Sequence, residues 1–366
     1  MIASLILCVM VGVLTFYQVF KQGLFSTTIM AVWTLVAAMI AFNYYGVLHE
    51  LLLKYGLAGY PTETATLLGL FIITLLILRL LSDQFIKGNM KFTMLIDRIG
   101  SAGMSLLSSL IMTGMIAIGF QMLPLPAKIL GYDKYPNIAP SNVDQNLSDF
   151  NAKLGSEKRL FPYGDSLVFT LVKQASGSTF AGSAPLGRFH PDLLQELYMN
   201  RLLLSKESGS RVEAAPTALR VKSARLIEST VVDAQQSRNI SINADEVLIE
   251  VTVEIIPGGD KKNPGASDVD RKIRYLMGNF RMISYDLEEG KTGYVRYPLG
   301  IFNSAVNIVD LSNFDEIYIP AIMEETKLLF AWPGDLKTYP PQYLEFKRWA
   351  RDKMPTLNQT QPSGSN

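Results

Sequence analysis

Few residues in this chain have the type and spacing for chemistry. Two histidines occur in 366 residues, His49 and His190. Neither has a second histidine or a cysteine nearby in sequence, so a metal ligand set is missing. His49-Glu50-Leu51 does not continue into the HExxH pattern that sets two histidines on one helix face. No GxSxG turn presents a serine nucleophile, and Gly177, Gly182 and Gly187 lack the strand–helix setting in which glycines cradle phosphate. The acidic pairs Asp268/Asp270 and Glu324/Glu325 stand beside turn sequences, where solvated carboxylates are ordinary; calcium is the ion Asp268 and Asp270 would suit. His190, opening a helix before Pro191, reads as structural. Tyr339, Tyr343, Phe346 and Trp349 read as a strand packing its core, with partner docking as the alternative. The expectation is a chain that is not an enzyme, with no cofactor and no metal.

The elements that would position such residues fall into two compositions. Residues 1–127 carry six Lys/Arg and four Asp/Glu, against 28 and 29 in residues 128–366. The first third is membrane-like and the rest is ordinary soluble composition, close to neutral, without the basic footprint of a nucleic-acid binder. Cys8, the single cysteine, excludes an intrachain disulfide.

Four segments are apolar enough to cross a bilayer core, which takes about 20 residues: about 2–20, 24–46, 64–82 and 99–123. Residues 47–60, with His49, Glu50 and Lys54 among leucines, predict a helix lying in the interface. The fourth span carries a row of small and polar residues four apart: Ser101, Ser105, Ser109, Thr113, Ala117 and Gln121. In lipid such a row lets another backbone approach closely, so these residues, with Gly23 in the tight first turn, are the candidate packing and assembly positions. Gln18, Asn43 and Gln121 are candidates for tying helices together by hydrogen bonds. Lys21, Arg79, Lys87, Lys91 and Arg98 gather on one side as interface residues, Arg79 snorkelling to the headgroups, against Lys54, Lys128 and Lys134 on the other. The positive-inside rule then places the first side in the cytoplasm and both termini outside.

Beyond the membrane, residues 128–215 read as a connector with short helices at 142–154, from Asp165, and from Pro191-Asp192 to about Leu204. Residues 216–355 read as strands, with Val247, Ile249, Val251, Val253 and Ile255 in strict alternation as a half-buried strand. Further strands are expected at 219–227, 272–286, 294–297, 316–319, 326–332 and 343–349, an antiparallel β-sandwich pattern. Residues 356–366 are polar, with the composition of a disordered tail. The fold class is a four-helix membrane bundle, a short helical region and a β-sandwich.

The membrane third resembles the colicin V production (CvpA) family of bacterial inner-membrane proteins. Phe20-Lys21-Gln22-Gly23-Leu24-Phe25 is similar to that family's basic-Gly turn between its first two helices. Asp97-Arg98 opens the last helix as in the family, whose glycines four apart are replaced here by Ser101, Ser105 and Ser109; the family's frequent arginine is Ser108. LLFAWPGD at 328–335 and YLEFKRWAR at 343–351 are faintly similar to extracytoplasmic immunoglobulin-like modules. The family resemblance implies a role in envelope function or toxin export, without established catalysis. The expected partners are membrane lipid, other envelope or secretion proteins and a second copy of the chain, with no nucleic acid. Two readings follow: a non-enzymatic anchor for a binding domain, or an oligomeric transport component with Ser101, Ser105, Ser109 and Thr113 lining a polar path.

Overall fold

The structure is a computed structural model that describes residues 2–54, 61–85, 92–135, 158–176, 186–206, 214–228, 230–234, 239–240, 242–256, 272–285, 293–310, 317–320 and 325–357. The expected helix at 142–154, Lys87, Lys91, Asp268, Asp270, Glu324 and most of the expected tail lie outside these residues. The chain divides into two compact units, Met1–Lys134 with Lys158–Gly187, and Tyr135–Glu157 with Arg188–Asn366. The expected connector is therefore shared out between them.

Among the described residues of the first unit four helices are long and apolar enough to cross a membrane: α1 (Ile2–Lys21), α2 (Leu24–Lys54), α3 (Thr62–Phe85) and α4 (Met94–Met122). The segment 47–60, expected as a helix of its own in the interface, is described as far as Lys54, and to that point it is not a separate helix. His49, Glu50 and Lys54 continue α2, which runs 31 residues without a break. No glycine or proline lies between Val47 and Lys54 to stop it, and its alanines Ala31, Ala37, Ala38 and Ala41 are buried where neighbours approach.

α4 is the axis of the unit. It carries the most buried window of the four helices, at 56%, and its small residues meet different neighbours. A Cβ at Gly100 would lie 2.7 Å from Leu24 of α2, and one at Gly119 would lie 2.8 Å from Leu68 of α3. Thr64 Oγ1 of α3 donates to the Gly119 carbonyl at 3.1 Å. A fifth helix, α5 (Gly164–Ser176), also packs on α4, burying Val168 and Val172. At that crossing a Cβ on Gly114 would come within 2.2 Å of the Gly164 carbonyl oxygen. Large apolar side chains face outward instead: Leu5, Val9, Val13, Phe16 and Phe20 on α1, and Ile73, Leu76, Ile77 and Leu80 on α3.

Among the described residues, the second unit contains helices α6 (Leu186–Phe189, whose first two residues belong to the first unit) and α7 (Leu193–Lys206) and twelve strands. β1 (Leu219–Ile227), β3 (Glu246–Ile255), β10 (Glu325–Pro333), β7 (Gly300–Asn303), β8 (Ile308–Asp310) and β2 (Val232–Asp233) form one sheet in that order. A second sheet has the order β12 (Ala350–Lys353), β11 (Tyr343–Phe346), β5 (Phe280–Ser284), β6 (Tyr294–Arg296), and β4 (Lys272–Tyr275) pairs with β9 (Ile317–Pro320). The β2–β8 pair is parallel, so the larger sheet is mixed rather than antiparallel throughout. One cluster of buried side chains draws Val251, Val253, Phe330 and Trp332 from the first sheet, Met282 and Phe346 from the second, and Tyr275 from the third.

Two expected strands break. The stretch 272–286 is interrupted by a 3-10 turn at Met277–Asn279, and 343–349 turns back through Lys347 and Arg348, both at positive φ. β3 is buried along both faces, not one. Its polar face holds Glu250 against Arg225 (2.6 Å) and Glu254 against Arg220 and Lys222 (3.1 and 3.0 Å).

Gly103 and Gly114 sit in the same helix with opposite surroundings, since a Cβ at Gly103 meets nothing within 4 Å. Gly103→Ala should raise helix stability by about 0.5–1 kcal/mol, whereas Gly114→Ala should lower it by about 1–3 kcal/mol through overpacking. Thermal unfolding of the two variants in the same detergent tests the contrast; equal shifts would sink the close α4–α5 contact.

Candidate functional site

Two places concentrate polar groups away from water: the seams of α4 and a charged cluster in the sheet unit.

In the first unit the expected packing residues come together. Ser101, Ser105, Ser109, Thr113, Ala117 and Gln121 are all buried within the chain's own helices. Ser101 and Thr113 donate to backbone carbonyls one turn back, Arg98 O at 3.1 Å and Ser109 O at 2.5 Å. Gln121 Nε2 donates to Asp165 Oδ2 at 3.2 Å, and Ala117 packs with Leu160, Tyr132, Ala3 and Leu7. Ser108, where the resembled family often has arginine, receives the Gln18 amide and meets Thr34, each at 3.4 Å. Asn43 donates within its own helix, to Met39 O, and ties nothing across. Among the described residues, Ser105 Oγ, Ser109 Oγ, Gln18 Oε1 and Thr15 Oγ1 are buried without a hydrogen-bond partner.

Gly23 has a specific reason. The Asp97 carboxylate accepts the Leu24 N–H at 2.8 Å, serving the exposed donors at the start of α2 from another helix. A Cβ at Gly23 would press on the same oxygen at 3.1 Å. Of the expected interface residues, Lys21 and Arg98 are exposed. Arg79 is half-buried, paired with Asp83 at 3.2 Å and reaching Ser26 Oγ at 3.4 Å.

The charged cluster was not foreseen. Arg281 on β5, 2% exposed, lies directly across from Glu345 on β11. Its guanidinium bonds Glu345 and Asp192 and lies 3.0 Å from Glu196 Oε2. Tyr297 donates to Asp192 Oδ2 at 2.5 Å. Arg348 reaches Glu196 at 3.1 Å and Arg351 reaches Glu345 at 2.5 Å. Asp192 does not begin the helix. It precedes α7, and its carbonyl accepts the N–H groups of Gln195 and Glu196.

His190 belongs to this cluster. Its Nδ1 stands 2.7 Å from Glu196 Oε2. A carboxylate only accepts, so Nδ1 carries the proton, and its 3.0 Å approach to the Arg281 nitrogen is a contact between donors. Nε2 is then free to accept from Arg351 at 3.4 Å.

His190, Glu196 and Glu345 offer ligand atoms within 4.8 Å of one another, the spacing of a metal site. The Arg281 guanidinium touches all three residues and supplies the cation there, so the donor set does not fit a resident metal. Three carboxylates face three guanidiniums, a balanced set. Burial opposes ionisation of Glu196, yet Arg281, His190 and Arg348 hold its carboxyl well below the usual range. Glu345 is likewise held low by Arg281 and Arg351 against the effect of burial. Asp192 goes the other way, raised by burial and by Glu196 despite Arg281. Burial and Asp192 push the Tyr297 hydroxyl well above 10.0.

A groove of about 490 Å³ lies in the same unit, walled by Tyr285, Tyr343, Pro340, Pro341, Met354 and Leu357, with Lys353 the charged residue at its rim. Of the aromatic run, Tyr343 lines the groove while Phe346 is wholly buried in the core. Tyr343 also packs on Phe189 and Tyr285, and Arg351 lies over Phe189 at 4.3 Å. The groove wall thus continues into the charged cluster.

No protein-family model, curated protein or solved structure matches this chain.

Arg281→Met leaves two buried carboxylates, Glu196 and Glu345, and the half-buried Asp192 without their common partner and should destabilise the sheet unit by about 3–5 kcal/mol, read by urea unfolding of the full chain. The pH dependence follows from signs. Glu196 and Glu345, depressed when folded, contribute stability above 4.5 that is lost as pH falls; Asp192, raised when folded, contributes in the reverse sense, favouring the fold below 3.8. Two against one, stability should fall as pH drops below 4.5, and Glu345→Gln should flatten that fall. An unchanged slope would count against the network.

Proposed function

We propose that this chain is a non-enzymatic, multi-pass protein of the bacterial inner membrane, of the CvpA type. In this reading α1–α4 anchor an extracytoplasmic sheet unit that binds an envelope or secretion partner. The observation that carries the binding role is the groove, whose tyrosine, proline and aliphatic walls offer the aromatic and apolar contacts enriched at protein interfaces. The charged cluster beside it supports the same view, because its acids and bases are committed to one another. The six- and four-stranded sheets, sharing one core cluster, are read as the layers of a sandwich. Orientation follows the positive charges, with both termini outside.

Photocrosslinkers at Lys353 and at Thr338, an exposed position outside the groove, test the binding role in intact cells. A discrete adduct from Lys353, absent from Thr338 and lost on Tyr285→Ala, is expected; equal adducts from both sites would refute it. A tag after Pro355 should be digested by protease added outside sealed cells, and protection would reverse the orientation.

The second reading is an oligomeric transport component. It is favoured by the buried, unpartnered oxygens of Ser105, Ser109 and Gln18 between helices, which suit water or a weakly hydrated cation. Ion flux through reconstituted vesicles that falls with Ser105→Ala would favour this reading over the first.

A further inference from the structure

We propose that residues 158–176 form a membrane-embedded element: it dips into the hydrocarbon layer beside α4 and presents Phe161 and Tyr163 to lipid. The inference rests on α1–α4 being membrane spans.

The contacts trace a descent along α4. Lys158 is held by residues that follow α4 in the chain, its N–H donating to Lys134 O at 2.8 Å and its carbonyl accepting the Tyr132 hydroxyl at 2.7 Å. Leu160 is then buried against Ala117 and Tyr132. Gly164 lies lower still, where a Cβ would stand 2.7 Å from Leu110 O and 3.1 Å from Gly114 N. At about 1.5 Å of rise per residue, Leu110 lies about 18 Å and Gly114 about 24 Å along α4 from the charged Arg98. A hydrocarbon layer about 30 Å thick, counted from Arg98, puts Gly164 about 6–12 Å beneath the far surface.

Chemistry at that depth is consistent with lipid. Unpaired backbone groups are costly in hydrocarbon, and the segment becomes helical at Gly164, the deepest contact traced. Its carboxylate, Asp165, is 2% exposed, accepting from Gln121 Nε2 and from Ser166 N at 2.8 Å. Val168 and Val172 turn inward, while Phe161 and Tyr163, 52% and 49% exposed, stand edge to face with centroids 5.4 Å apart. Leu160 packs on Ala3 and Leu7 of α1, so the segment borders a helix whose other face exposes Leu5 and Val9. That continuity selects lipid as the occupant. The 13 residues of α5 extend about 20 Å from Gly164. Lys173 in its last turn lies 6.0 Å over the Phe169 ring, its stem able to snorkel to the headgroups.

The test uses the full chain with Cys8→Ser, reconstituted in phosphatidylcholine/phosphatidylglycerol vesicles. Single cysteines replace Phe161, Tyr163, Val13, Leu76 or Thr338, all exposed, and carry an environment-sensitive fluorophore. Lipids brominated along the acyl chain should quench positions 161 and 163 to within about twofold of 13 and 76, leaving 338 unquenched. Gly164→Val should lower quenching at 163 and leave 13 unchanged. Quenching at 13 and 76 with 161 and 163 behaving like 338 overturns the embedded element while the spans stand. Labels at 161 and 163 shielded from both lipid bromine and aqueous iodide mean a protein covers them, which also overturns it. No quenching at 13 or 76 removes the spans and the proposal together.

Discussion

The first unit depends on keeping the polar groups of α4 away from an apolar exterior. A helix carrying four serines, a threonine and a glutamine among its buried positions cannot face hydrocarbon all round, because each uncovered hydroxyl or amide would lose water without replacement. Every other helix of the unit contributes cover: Gln18 from α1, Thr34 from α2, Thr64 from α3 and Asp165 from α5. Small residues of α4 make this possible: side chains of Leu24 and Leu68 come within a Cβ's reach at Gly100 and Gly119, and the backbone of Gly164 does so at Gly114. The unit is polar at its centre and apolar outside, the inverse of a soluble bundle.

The sheet unit solves a related problem with charge. Arg281 enters a buried layer between two strands and is acceptable only because Asp192, Glu196 and Glu345 converge on it. The cluster fixes relationships that hydrophobic packing leaves loose. It sets β5 against β11, holds the start of α7 to the sheet, and locks His190 into one tautomer. Its neighbourhood to the groove gives Phe189, Tyr285 and Tyr343 a rigid backing, which lets a surface recess keep its shape.

The sequence carried the helices well and the junctions poorly. Long uncharged runs identify a membrane helix because the bilayer demands length, and all four were legible. The end of α2 was not: His49, Glu50 and Lys54 read as an interface, though nothing in the backbone stops the helix there. The strand alternation at 247–255 gave the right element and the wrong burial, because Leu248 packs into a second apolar cluster and salt bridges hold Glu250 and Glu254 on the other face. Ser108 went unremarked as a packing residue since it lies off the four-residue row. The partners of Gln18 and Asp165 stand 90 and 44 residues away.

Residue type and local period alone determined that the chain has a membrane-like third and a sheet-rich remainder, and that α4 must be covered along a face. Local rules suffice there, since length, charge and spacing act within one element. Tertiary structure alone decided who covers α4, that residues 158–176 belong with the helices rather than a connector, and that Arg281 meets three carboxylates. Those outcomes depend on close approach between segments distant in sequence, and no local pattern encodes which buried charge finds which partner. The small-residue row of α4 is a set of separate seams, each shaped by a different neighbour.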